Sequence, residues 1–203
     1  MVLAVLTGLA ALVFALWPRL DLALMAPIHD PGDGFLLRGH PLSHAYDDLR
    51  AVLFPAIALA ILAAGVAALL RRPLPGLPGR RVLAMLATLL VMVGGVQNLI
   101  FKENFGRPRP KTTAVYGGEL PYHPPLRPGG ACPGNCSFVS GDVGFSAIGL
   151  GFVLGISAGR WRRAALAGAG AVVLLVAAER VLSGSHYPSD VLFAALLTAL
   201  TLL

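Results

Sequence analysis

Six apolar blocks of roughly membrane-spanning length determine what this chain can fold into. Segments rich in Pro, Gly and Arg separate the blocks, which run from Met1 to Trp17, Arg50 to Leu70, Val82 to Phe101, Val143 to Ser157, Ala164 to Leu182 and Pro188 to Leu203. Hydrophobic residues make up 56% of the 203 residues and charged residues 13%, a composition typical of integral membrane proteins. The sequence therefore predicts a single all-α domain, residues 1–203, built as a bundle of six transmembrane helices.

The first and last blocks leave alternatives open. Met1–Trp17 could be a signal peptide, although no Lys or Arg precedes it and no clear cleavage site follows it. The last block, Pro188–Leu203, reaches only about 24 Å as a helix, against a hydrocarbon core of about 30 Å. We therefore expect that helix to be tilted, or the native chain to continue beyond Leu203.

The distribution of arginine predicts the orientation in the membrane. Seven arginines lie in the segments Arg71–Arg81 and Gly159–Arg163, which the positive-inside rule places in the cytoplasm. Three segments then face outward: Pro18–Leu49, Lys102–Asp142 and Ser183–Tyr187. In a bacterium this orientation corresponds to the inner membrane, with the outward segments in the periplasm. Nucleic acid is a poor explanation for the net charge of +6, because the basic residues lie at the ends of apolar blocks.

Polar residues from four distant parts of the chain fall on this predicted outer side. They are Lys102, Arg109, Ser140, Gly141, Asp142, Arg180, His186 and Asp190. Ionisable residues at membrane depth are costly and usually pair with one another or line a site. Cations on the outer face also run against the positive-inside bias, so we expect one site at the outer membrane surface.

The residue types at this predicted site suit phosphoryl transfer. Pro188 fits the first position of a helix, which places His186 just before the helix and Asp190 in its first turn. If Asp190 reaches one imidazole nitrogen, the other nitrogen is left facing a ligand. Ser140 suits an N-cap, and the free N–H groups of the following helix form a cradle for an anion. Phosphoryl transfer needs cations that hold the phosphoryl oxygens in the transition state, and Lys102, Arg109 and Arg180 would supply them.

Three ordered motifs carry a resemblance to a known family. "KENFGRPRP" has Lys, six residues and Arg-Pro; "VSGD" stands where the second motif is normally Pro-Ser-Gly-His; and "ERVLSGSHYPSD" has Arg, five residues, His, three residues and Asp. Over roughly Gln97 to Leu203 the chain resembles the type 2 phosphatidic acid phosphatase superfamily, which shares its site with vanadium haloperoxidases. The six-span plan is similar to the membrane lipid-phosphatase branch.

The resemblance implies roles for the site residues. His186 would attack phosphorus to form a phosphohistidine, and Asp190 would orient it. The phosphate would be held by Lys102, Arg109, Ser140, Gly141 and Arg180. No metal or other cofactor is implied.

The resemblance also implies a membrane lipid as substrate. The candidates are lipid A phosphate, isoprenyl pyrophosphate such as undecaprenyl pyrophosphate, phosphatidylglycerol phosphate and phosphatidic acid. A lipid phosphotransferase would use the same residues. An intramembrane serine protease could use Ser140 and His186 as a dyad, but acyl transfer has no use for three cations. A transport or scaffold protein would not require this set of residues.

The chain departs from the family motifs at three positions. Val139 replaces the Pro of the second motif, and Glu179 replaces the Ser that usually precedes the Arg of the third motif. Asp142 stands where the family has a His that acts as general acid. Beside three cations we expect Asp142 to stay ionised and to be a poor proton donor. This predicts a preference for substrates with good leaving groups.

Other residues of the outward segments have simpler interpretations. Cys132 and Cys136 in "CPGNC" lie in an outward segment, where a disulfide can persist, and they lack histidines at zinc-finger spacing. We therefore predict a small disulfide clip rather than a zinc site. The histidine-containing stretch from Pro27 to Asp48 is interpreted as a polar loop over the bundle, since no regular metal-ligand spacing appears. His123 is interpreted as a loop residue rather than a substitute acid.

Overall fold

The computed structural model describes residues 1–72, 74–75, 77–155, 159 and 161–202. It is mostly helical. The α-helices are α1 (Val2–Leu16), α2 (Leu20–Met25), α3 (Pro41–Leu69), α4 (Gly79–Ala87), α5 (Lys102–Phe105), α6 (Gly141–Gly155), α7 (Arg162–Leu182) and α8 (Pro188–Thr201). A π-helix, Thr88–Phe101, joins α4 to α5, and short 3₁₀ turns occupy Ala26–Ile28, Pro110–Thr112 and Ala114–Tyr116. The two strands, β1 (His29–Asp30) and β2 (Gly34–Phe35), form an antiparallel hairpin.

Three helical segments are long and apolar enough to cross a membrane: Pro41–Leu69, Gly79–Thr112 and Arg162–Leu182. A fourth candidate is α1 together with Leu20–Ile28, but the two are bent by 93°. The apolar helices α6 and α8 are shorter. The described residues therefore contain three to four candidate spans, and the six-span arrangement stays a prediction. The predicted span ends Ser157 and Leu203 lie outside the described residues.

The outer faces of the long helices suit contact with lipid. Large apolar side chains project from them without protein neighbours to bury them, among them Leu59 (64% exposed), Leu174 (70%) and Leu175 (71%). Extensive exposed apolar surface marks membrane or partner contact in proteins. The exposure agrees with the membrane class predicted from composition.

Helix α3 begins nine residues earlier than the sequence predicted. Pro41 takes the first helical position, and the His40 side chain accepts a hydrogen bond from Leu42 N–H at 3.2 Å. The first turns of α3 are polar, so hydropathy alone placed the start at Arg50. The extension matters because it adds Tyr46 and Asp47 to a helix that reaches the polar end of the bundle.

The three segments predicted to face outward pack together at one end of the bundle. Leu37 N–H donates to Leu182 O at 2.9 Å, and Lys111 N–H donates to Gly184 O at 3.0 Å. Phe35 packs directly on Gly184, where φ is +68° and a Cβ would lie 2.2 Å from the ring. These segments therefore share one side, and the hairpin covers the turn between α7 and α8.

The core beneath this polar end joins α6 and α8 with buried residues of α1 and α7. Val143 and Ala147 of α6 are fully buried and pack in one cluster with Phe193 and Ala194 of α8. Phe138, just before α6, stacks on Phe105 with ring centroids 4.9 Å apart. This packing fixes the first turns of α6 and α8 next to each other.

Candidate active site

His186 lies in the turn between α7 and α8 and is 3% exposed. Its backbone N–H donates to Arg180 O at 3.0 Å. Its Nδ1 lies 2.8 Å from the carbonyl oxygen of Ser137. Because a carbonyl oxygen can only accept, this bond requires the proton on Nδ1 and leaves the lone pair on Nε2.

The surroundings of His186 favour its neutral form. Burial lowers the pKa of His186 below its ordinary value of 6.5, and the charges of Arg109 and Lys102 lower it further. Asp190 acts in the opposite direction. A neutral imidazole with a free Nε2 is the form that can act as a nucleophile.

Asp190 is fully buried at the first turn of α8, where the sequence placed it. Its carboxylate lies 3.7 Å from His186 Nδ1, beyond a normal hydrogen bond. It accepts instead from the Tyr187 N–H at 2.8 Å, from the Ser137 hydroxyl and from Arg107. Ser137 therefore links the two residues, since its hydroxyl contacts Asp190 and its carbonyl contacts His186. The sequence led us to expect that Asp190 would hydrogen-bond to His186 directly. In the structure the two residues are linked through Ser137 instead.

Arg107 and Asp21 form a buried support beneath Asp190, and both are 0% exposed. Arg107 donates through Nη1 to Asp190 and through Nη2 to Asp21 Oδ2 at 2.7 Å. Arg107 Nε donates to the backbone carbonyl of His123 at 2.9 Å. The His123 ring itself contacts Arg127 O at 2.8 Å.

The start of α6 forms the second part of the site. Ser140 is fully buried; its N–H donates to Asp190 O at 3.2 Å, and its hydroxyl has no hydrogen-bond partner among the described residues. Ser140 thus precedes the helix as predicted but does not form the expected cap hydrogen bond. A Cβ at Gly141 would lie 3.3 Å from Lys102 Nζ and 2.8 Å from Asn98 Oδ1. Lys102 therefore lies against the first turn of α6.

Arg109 is held by the loop that the two cysteines close. Its Nε and Nη2 lie 3.2 and 3.1 Å from Asn135 O, and Nη2 lies 3.0 Å from Asn135 Oδ1. Cys132 and Cys136 are joined by a disulfide with their Cα atoms 5.8 Å apart. Asn135 thus lies inside a five-residue disulfide loop, with a φ of +47° that Asn tolerates better than most residues.

Arg180, 4% exposed, is surrounded by carboxylates. Its guanidinium contacts Glu179, Asp47 at 3.0 Å and Asp142 at 3.3 Å. Asp142 also lies 3.6 Å from Arg50 Nε, and the Tyr46 ring lies 4.4 Å from the Arg180 guanidinium carbon. Asp142 therefore belongs to an ion-pair network between α3, α6 and α7.

Seven of the eight residues predicted from sequence are neighbours in the structure. One run leads from Lys102 through Gly141 and Ser140 to Asp190, and a second leads from His186 through Arg180 to Asp142; Asp190 and His186 join the two runs at 3.7 Å. Arg109 contacts Asn135 instead, and its charge lowers the pKa of His186. Sequence reasoning missed Asp21, Ser137 and Asn135. Asp21 alone carried a usable signal, because it is an ionisable residue within an apolar stretch.

The model of the PAP2 superfamily matches residues 81–203, which include all three motifs and more than half of the chain. The chain belongs to the PAP2 superfamily. This confirms the family predicted from the motifs. The match begins after α3, so Asp21, Asp47 and Arg50 lie outside the part of the PAP2 chain that the family model covers.

Curated relatives of this PAP2 chain are named lipid A 4'-phosphatase. The protein from Rhizobium leguminosarum is 40% identical over 106 residues, covering 52% of this chain and 45% of its own length. The protein from Rhizobium etli is 38% identical over 113 residues, covering 55% and 43%. The protein from Francisella tularensis subsp. novicida is 33% identical over 105 residues, covering 49% and 45%. The matches span less than half the length of these relatives. No solved structure matches the chain.

Proposed function

We propose that this PAP2 protein is a lipid phosphatase that removes phosphate from a membrane lipid through a phosphohistidine on His186. The observation that carries the proposal is the hydrogen bond from His186 Nδ1 to Ser137 O, which leaves Nε2 as the nucleophile. The family and the names of the relatives support a phosphoric monoester hydrolase. They also make a lipid A phosphate the first substrate to test.

In the first step Nε2 attacks phosphorus, a nitrogen–phosphorus bond forms and the bond from phosphorus to the leaving oxygen breaks. Lys102, Arg109 and Arg180 would hold the phosphoryl oxygens, together with the N–H groups at the start of α6. The buried Ser140 hydroxyl is free to donate to one of these oxygens. In the second step water attacks the phosphohistidine, which releases phosphate and restores the neutral His186.

The leaving oxygen needs a proton or must be stable as an anion. Asp142 forms ion pairs with Arg180 and Arg50, so we propose that it acts in this network as a carboxylate. Substrates with good leaving groups, such as pyrophosphates and the glycosidic phosphate of lipid A, would then react faster than alkyl phosphates such as phosphatidic acid and the 4'-phosphate of lipid A. The proposed location is the bacterial inner membrane as a six-span protein, with the site facing the periplasm.

The test is phosphate release by the purified full chain in detergent, with lipid A, undecaprenyl pyrophosphate, phosphatidylglycerol phosphate and phosphatidic acid as separate substrates. We expect activity in the presence of EDTA, inhibition by orthovanadate and loss of activity in His186→Ala. His44→Ala, an exposed histidine of α3, is the control and should keep activity. An alkali-stable phosphohistidine should be trapped on wild type. Complete loss with EDTA that a divalent ion restores would contradict the metal-independent reaction.

A further inference from the structure

A chain of fully buried charges leads from α2 to the candidate nucleophile. Asp21 accepts from Arg107 Nη2 at 2.7 Å, from Ser189 N–H at 2.9 Å and from the Ser189 hydroxyl at 2.6 Å. Arg107 also donates to the Ser189 hydroxyl at 2.8 Å and to Asp190. Asp21, Arg107, Ser189 and Asp190 are all 0% exposed.

We propose that Asp21 is a positioning residue for the reaction at His186, acting through Arg107, Ser189 and Asp190. This inference rests on the proposed function. Asp21 fixes the guanidinium of Arg107 through Nη2, while Asp190 accepts from Nη1. It also holds the backbone and hydroxyl of Ser189, next to Asp190 in the first turn of α8. Asp190 in turn accepts from the Ser137 hydroxyl, and Ser137 O accepts the hydrogen bond from His186 Nδ1–H.

The charge balance of this cluster gives Asp21 a second effect. Two carboxylates share one guanidinium, so the buried group of Asp21, Arg107 and Asp190 carries one net negative charge. When Nε2 bonds to phosphorus while Nδ1 keeps its proton, the imidazole ring becomes cationic. The negative surplus stabilises that ring, and it opposes the positive charges of Lys102 and Arg109 that also face His186. Neutralising Asp21 removes the surplus.

Changing one partner of a buried, hydrogen-bonded ion pair usually destabilises the fold, because the remaining groups lose their compensation. A purely structural role for Asp21 would therefore predict a change in stability and in the amount of folded protein, with the reaction of His186 unchanged. The positioning role predicts a change in kcat and in the titration of His186, and the two roles can be separated.

The test compares Asp21→Asn, which removes the charge at nearly constant shape, with Asp21→Glu, which keeps the charge. Asp33→Asn, at an exposed position of the hairpin segment, is the matched control. In Asp21→Asn we expect kcat on lipid A to fall about 10- to 100-fold, with KM changed by no more than about twofold. In Asp21→Glu a loss of kcat is also expected, because the longer side chain displaces Arg107. Asp33→Asn should match wild type.

The titration of His186, followed by NMR of ¹⁵N-histidine-labelled protein in detergent, needs no substrate. Its midpoint should move to lower pH by about half a unit or more in Asp21→Asn and should stay in place in Asp21→Glu and Asp33→Asn. An unchanged midpoint and an unchanged kcat in folded Asp21→Asn would overturn the inference. If wild type releases phosphate from no lipid, the proposed function fails, while the NMR titration still decides the influence of Asp21 on His186.

Ser189→Ala provides the test if Asp21→Asn does not yield folded protein. This change removes one hydroxyl from the contacts of Asp21 and Arg107 and leaves every charge in place. We expect kcat to fall about three- to tenfold with KM unchanged. Wild-type kcat in Ser189→Ala would then overturn the inference.

Discussion

At the residue scale, Asp142 decides how far this chain follows its superfamily. It occupies the position of the general-acid His, and its carboxylate pairs with Arg180 and Arg50. We expect Asp142→Asn to lower kcat by about tenfold or less, because an acid that contributes to the reaction is typically worth about 10²–10⁴-fold. The measurement compares the variant with wild type on undecaprenyl pyrophosphate and on phosphatidic acid. A large loss restricted to the poorer leaving group would show that Asp142 donates the proton.

The buried position of His186 sets the pH dependence of activity. Because burial lowers its pKa below 6.5, the imidazole stays neutral to lower pH than in an exposed peptide. We expect the acid limb of a plot of kcat/KM against pH to have an apparent pKa below 6.5. An acid limb above 6.5 would contradict a desolvated nucleophile.

The same shift has a consequence for stability with a defined sign. As pH falls through 6.5, the unfolded chain binds a proton at His186 before the folded chain does. The contribution of His186 therefore makes the free energy of unfolding decrease on acidification. Thermal unfolding in detergent at several pH values should show this loss, and it should be smaller in His186→Ala.

At the scale of elements, the disulfide loop supports Arg109 through Asn135. Replacing Cys132 and Cys136 by Ser should loosen this support and lower kcat/KM by about three- to tenfold. Asn135→Ala should have a similar effect, and the combined variant should lose little more, because both changes act on the same contact. Phosphate release assays provide the measurement. Additive losses would show that the two features act separately.

Mass spectrometry without reduction should find Cys132 joined to Cys136 in wild type.

The elements that the sequence predicted well are those with a local physical signal. Pro188 at the first position of α8 set both the helix start and the place of Asp190. The start of α3 was missed because its first turns are polar, and hydropathy does not detect a helix that begins outside the apolar layer. Ser137 could not be identified either, since its contact with His186 spans 49 residues and depends on how the loop before α6 folds.

At the scale of the whole molecule, the orientation in the membrane can be tested by chemical labelling. Gly184 is unsuitable for a new cysteine, because its φ is positive and Phe35 packs on it. The exposed positions Glu119 and Arg80 are better choices, in a background without Cys132 and Cys136. An impermeant maleimide should label Glu119→Cys in intact spheroplasts and Arg80→Cys only after lysis. The reverse pattern would invert the predicted orientation.

The arrangement of helices was less accessible to sequence than the family. Three ordered motifs were enough to predict the superfamily, which the match over residues 81–203 confirms. The predicted number of six spans stays a prediction, because α6 and α8 are shorter than a bilayer requires and α1 bends sharply into α2. Hydropathy identifies apolar segments but does not report how each one meets the membrane.

The contact between Asp21 and Ser189 also sets an order of events during synthesis. The two residues are 168 positions apart, so at about 5–20 residues per second a ribosome needs roughly 10 to 30 s to supply Ser189 after Asp21. Arg107 emerges about midway and can pair with Asp21 first. His186 and Asp190 emerge together with Ser189, so the proposed nucleophile can contact Ser137 and Asp190 only once α8 has left the ribosome and docked. A nascent chain that stalls before this point carries Lys102 and Arg109, the residues proposed to hold phosphate, but lacks His186, the proposed nucleophile.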